Sequence, residues 1–84
     1  MDKRGKRGVR GVTMKEYAVV YEQAGNNFSA YVPDLPGCIA AGETLAETKQ
    51  LIREAITLHV ASMRNNGEEI PEPSIFVDSV AIAA

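Results

Sequence analysis

The sequence predicts an α+β domain with the order β-β-β-α-β, a small sheet with one long helix packed on one face. Three observations carry this. The runs Lys15 to Glu22 and Phe28 to Val32 alternate with a period of two and are rich in β-formers. The tetrad Thr44-Leu-Ala-Glu47 then opens a stretch in which apolar residues recur every 3.6 positions. Finally, 84 residues leave room for one small domain and exclude a second.

In KEYAVVYE, Tyr17, Val19 and Tyr21 share one face of the first strand, with Ala18 and Val20 on the other. Gln23 to Asn27 reads as a five-residue polar connection, and the second strand ends where Pro33 removes a ladder donor. Residues Pro33 to Cys38 read PDLPGC. Two prolines fix φ and Gly37 allows a conformation closed to other residues, so a rigid turn is expected. Such a turn either presents side chains to a partner or simply turns a corner. Cys38 to Ala41 is expected as a third strand ended by Gly42.

Thr44 as N-cap and Glu47 at N3 form the capping box that starts the helix. Leu45, Thr48, Leu51, Ile52, Ala55, Ile56, His59 and Met63 fall on its inner arc. The helix should stop at Asn65 or Asn66, because Gly67 suits the C′ position and Pro71 and Pro73 prevent renewal. That is about 31 Å of helix at 1.5 Å per residue. Ile75 to Val80 reads as a fourth strand that joins the sheet or pairs with a neighbouring chain. The sheet face away from the helix stays largely apolar, which points to a second copy and a homodimer or higher homo-oligomer.

Charge divides the chain. Residues 1–13 hold Lys3, Arg4, Lys6, Arg7 and Arg10 against Asp2, a net +4, and read as a disordered basic arm, or as sequence upstream of a true start at Met14. Residues 14–84, the single folded domain, carry four cations against ten carboxylates, a net −6. The body should repel nucleic acid and suit a basic partner. No run approaches the roughly 20 apolar residues of a membrane span. With Cys38 the only cysteine and no secretory signal in view, a cytoplasmic setting is the expectation.

Catalytic equipment is sparse. His59, the only histidine, sits among Ala55, Ile56 and Met63 and reads as a packed helical residue rather than a base. Cys38 has no histidine near it in sequence to lower its pKa. No metal-ligand spacing, phosphate-binding loop or cofactor motif is present. Glu22, Asp34, Glu43 and Asp78 fall at strand ends or turns and would serve a magnesium-dependent nuclease if they converged. An enzyme is not expected.

An aromatic-and-valine strand (YAVVYE), a second strand running into PDLPGC, then Gly42, Thr44, Leu45 and Glu47, a helix containing REAI, and GEEIPEPS together resemble the HicB-like antitoxin family over about Tyr17 to Ser74. The resemblance implies a truncated ribonuclease-H-like fold. It also implies binding and occlusion of a small, basic, HicA-like mRNA-cleaving toxin. Family members often continue into a helix-turn-helix or ribbon-helix-helix segment, whereas here Ile75 to Ala84 follows the body, so a short stand-alone member without operator binding of that kind is expected. Strand one offers Tyr17, Val19 and Tyr21 where a nuclease would want an aspartate. The candidate partner surface is Asp34, Leu35 and Pro36 of the turn with Glu43 and Glu47 at the helix start. The bland alternative is that Leu35 packs under the turn and Glu47 only completes the cap. A nucleic-acid-binding module using Lys3, Arg4, Lys6, Arg7 and Arg10, and a divergent magnesium-dependent nuclease, are the other two readings.

Overall fold

The computed structural model describes residues 14–84. Strands β1 (Val20–Ala24), β2 (Asn27–Tyr31) and β3 (Ile39–Gly42) precede helix α1 (Leu45–Asn65). The strands form one antiparallel sheet in the order β1-β2-β3. The fold is α+β, as the alternation and the capping box predict, and the 21-residue helix has the expected span.

The first hairpin is tighter than its composition suggests. Pairing runs from Val20↔Tyr31 to Ala24↔Asn27, leaving a two-residue turn of Gly25 and Asn26 in place of the expected five. Two-residue turns match the twist of the flanking strands. The ladder bonds so gained draw Gln23, Ala24 and Asn27 into strands despite weak propensity.

At its other end β1 begins at Val20 rather than Lys15, for a reason set by β2. Val32, which would face Val19, has both backbone groups engaged elsewhere: its N–H donates to the Cys38 carbonyl (3.2 Å) and its carbonyl accepts from Leu35 N–H (3.0 Å). Val32 thus turns its backbone toward β3, the next bond to β1 would have to come from Pro33, which has no N–H, and the β1–β2 ladder stops at Tyr31.

Tyr21, Ala30 and Ala40 form one cross-strand row on the helix side of the sheet, with Tyr17 and Val19 packed against the same core. That core is Ala30, Val32, Leu35, Cys38 and Ile52. The neighbouring row, Val20, Tyr31 and Ile39, faces away from the helix, and Ile39 is 69% exposed. Helix α1 seats Thr48 and Ile52 most deeply, with Ala55, Ile56, Val60 and Met63 partly covered. His59 is half-buried on this flank, whereas Leu45, placed on the inner arc by periodicity, is exposed at the first turn.

Both helix ends are closed by local bonds. Thr44 Oγ1 accepts from Glu47 N–H (3.0 Å), and Glu47 Oε1 accepts from Glu43 N–H (2.8 Å), one residue earlier than a standard capping box would reach. At the C-terminus, Gly67 N–H donates to Arg64 O and Glu68 N–H to Met63 O, the paired bonds of a Schellman motif.

After the helix, the expected fourth strand does not form. Ile75 to Val80 pairs with no strand among the described residues and lies exposed. A β-prone run becomes a strand only where a ladder partner is in reach, and this one is led away from its own sheet by contacts at its root.

Candidate functional site

PDLPGC is two β-turns in succession. Leu35 N–H donates to Val32 O, closing the first turn, and Cys38 N–H donates to Leu35 O (3.0 Å), closing the second. Pro33 and Pro36 occupy the position of each turn that favours their fixed φ, and Gly37, at φ 86°, takes the site where a type II turn demands a positive value. Between the turns, Leu35 points inward with no exposed surface. Pro36 and Gly37 form the exposed tip. The turn is thus rigid at its root and open at its crest.

Asp34 is not a free acidic knob. Its carboxylate accepts from Ser74 Oγ (2.5 Å), Ser74 N–H (2.8 Å) and Ile75 N–H (3.2 Å). Two further contacts hold the same segment: Tyr17 hydroxyl donates to Pro71 O (2.6 Å), and Lys15 Nζ pairs with Glu72 (2.6 Å). These contacts strap residues 71–75 across the entrance to β1 and the turn. The Ser74 hydroxyl bond, followed by the Ser74 amide, holds the Asp34 carboxyl below the usual range; desolvation opposes them, and the Ile75 amide adds the smallest contribution in their favour.

A carboxyl whose folded pKa is depressed contributes stability above its unfolded value and loses it as the pH falls through the folded one. The Ser74 amide resonance is therefore expected to titrate with Asp34, at a midpoint below the ordinary carboxylate value of about 4. Asp34→Asn should abolish that titration. A Ser74 resonance that does not move between pH 7 and pH 2 would refute the strap.

Glu43 and Glu47 lie elsewhere. They flank the start of α1, beyond Gly42, whereas the turn joins the Ile39 end of β3. Five residue steps at about 3.3 Å separate Cys38 from Glu43, roughly 17 Å of chain. The five residues expected to share one surface are therefore split between the two ends of β3, with Leu35 buried. Glu47 completes the cap, while the Glu43 carboxylate makes no hydrogen bond among the described residues.

The remaining chemistry-bearing groups are not gathered. Cys38 is buried, and that burial pushes its thiol pKa up, away from the reactive thiolate. Among the described residues no three His, Cys, Asp or Glu side chains converge as metal ligands, so Glu22, Asp34, Glu43 and Asp78 form no nuclease centre. None of their helices is long and apolar enough to cross a membrane. The basic arm, with Lys3, Arg4, Lys6, Arg7 and Arg10, lies outside the described residues.

Sequence similarity decides the family. Residues 17–82 match the family described as HicB_like antitoxin of bacterial toxin-antitoxin system. The chain belongs to the HicB-like antitoxin family. This is a family of antitoxins rather than of enzymes, in keeping with the scattered carboxylates and the buried thiol. Curated relatives include an uncharacterised 14.9 kDa protein of Haemophilus phage HP1, 38% identical over 67% of this chain; the chain spans 42% of that protein. A UPF0150 protein of Thermoplasma acidophilum is 33% identical, over 69% of this chain and 84% of its own length. Among solved structures, the HicA3 and HicB3 toxin-antitoxin complex contains a chain that matches this HicB-like fold with a TM-score of 0.61 at 30% identity, covering 71% of this chain and 70% of that one.

Proposed function

We propose that this HicB-like protein binds a small, basic, HicA-like mRNA-cleaving toxin and neutralises it by occlusion. The observation that carries the reading is the similarity, in sequence and fold together, to a chain of a HicA–HicB complex. Charge supports it. Residues 14–84 hold ten carboxylates against four cations, a field that repels RNA and draws in a protein built to bind RNA. Inhibition then needs no catalysis: an acidic, rigid domain seated on a basic surface displaces the phosphate backbone that the toxin must contact.

The exposed Pro36–Gly37 crest and the exposed Glu43 are the parts of the two-ended candidate surface open to a partner. Asp34 and Leu35 act by holding the turn in shape.

The test mixes the purified chain with a HicA-like toxin and follows RNA cleavage and complex affinity across salt concentrations. Cleavage is expected to stop at stoichiometric amounts of this chain, with affinity falling as salt rises. Glu43→Lys should weaken the complex without unfolding the chain. Asp34→Lys should weaken it more than Ser74→Ala, which loosens the strap but keeps the charge. Undiminished RNA cleavage at tenfold excess of the chain would overturn the reading.

A further inference from the structure

The geometry points to reciprocal strand exchange between two copies of this chain, residues 75–82 of each seated in a groove of the other. The groove runs between the outer edge of residues 14–21 and helix α1. Tyr17, Val19, Tyr21, Ile52 and Ile56 give it an apolar floor. Lys15, Lys49 and Arg53 line it together with Glu16, Lys15 being already paired with Glu72, and Arg64 lines the adjoining pocket. In a body of net −6 the groove keeps a local excess of positive charge on Lys49 and Arg53, and it borders a strand edge: among the described residues β1 is paired on one side only.

The occupant is on the same chain. Ile75 to Ile82 reads IFVDSVAI, a β-prone run with one carboxylate, Asp78. Phe76 is 90% exposed, and Val77, Val80 and Ile82 are each more than 70% exposed. Eight extended residues reach about 26 Å. The helix wall of the groove from Lys49 to Arg64 is about 22 Å long at 1.5 Å per residue, so length, polarity and charge all match.

The strap decides between a chain's own groove and a second copy's. Asp34 fixes Ser74 and Ile75 at the turn end of the sheet, and the run leaves from there with its apolar side chains in solvent. An unpaired strand edge and an unpaired β-run on one chain are satisfied together when two copies exchange identical segments about a twofold axis. The added strand supplies backbone hydrogen bonds to the edge of residues 14–21, apolar side chains to the floor, and Asp78 to Lys49 and Arg53.

The test uses the chain alone, so it is independent of the toxin reading. Sedimentation of the full chain is expected to show a dimer. Phe76→Asp combined with Val80→Asp spoils the segment and leaves the groove intact; it should raise the dimer dissociation constant at least tenfold. Lys49→Glu with Arg53→Glu spoils the rim, at exposed helix positions that leave the core untouched, and should weaken the dimer severalfold. Mixing the two variants restores one of the two seats, so a heterodimer tighter than the Phe76→Asp/Val80→Asp variant's own dimer is expected. A full chain still monomeric at about 100 μM, a dimer indifferent to both double variants, or a mixture no tighter than the Phe76→Asp/Val80→Asp dimer would overturn the exchange.

Discussion

Leu35→Ala is expected to lower the free energy of unfolding by about 2–5 kcal/mol, read from the urea midpoint at constant slope. Leu35 has no exposed surface and sits in a core of five buried apolar residues among the described residues. The neighbouring turns cannot collapse into the space it would leave, because the Val32, Leu35 and Cys38 backbone groups are mutually hydrogen-bonded and flanked by Pro33 and Pro36. A domain of this size has about 5–15 kcal/mol in total, so the variant should stand near the edge of folding. Its melting temperature should fall by roughly 4–8 °C for each kcal/mol lost. Loss of less than 1 kcal/mol would mean that the turn is not anchored through this side chain.

Gly42→Ala is expected to cost about 1–3 kcal/mol through overpacking. A Cβ at this position would lie 2.7 Å from Thr48 Oγ1, 3.1 Å from Glu47 Oε1 and 3.2 Å from the Thr48 backbone nitrogen. None of the three can withdraw freely. Thr48 is fully buried with its hydroxyl donating to Thr44 O (2.8 Å), and Glu47 is held by the cap. The glycine is thus required by the approach of the helix start to β3, not by its φ. The same melt that tests Leu35 tests this, and Ala41→Ser, at an exposed neighbouring position, serves as a control that should stay within about 0.5 kcal/mol. An unchanged midpoint for Gly42→Ala would show that the helix start can shift without loss.

Local features were legible in the sequence because local chemistry fixes them. Thr44 and Glu47 sit three residues apart and find each other in any helix that starts there; Pro36-Gly37 specifies its turn unaided. Residues of YAVVYE revealed the face that meets the helix, since Tyr17, Val19 and Tyr21 do pack on the core. What escaped notice depends on distant partners. Nothing near Asp34 signals that Ser74, 40 positions later, will satisfy its carboxylate. Only the three-dimensional course of β3 shows that Glu43 and the turn lie at opposite ends of one strand. The end of β1 at Val20 was likewise decided across the ladder, by Pro33, which has no N–H to offer Ala18. For Ile75 to Val80, composition revealed strand propensity but not where an edge would be found.

The strap also bears on the order in which the molecule assembles and comes apart. The hairpin, the double turn and the helix cap all close loops of a few residues, whereas Asp34 and Ser74 must find each other across 40, a search whose entropy is recovered only once the rest of the fold holds them close. It is made of side-chain contacts without a ladder behind it, so it should form after the rate-limiting barrier and open well below the free energy of global unfolding. Weakening it would hasten unfolding while leaving the folding rate unchanged, making residues 71–75 the chain's latch rather than part of its nucleus.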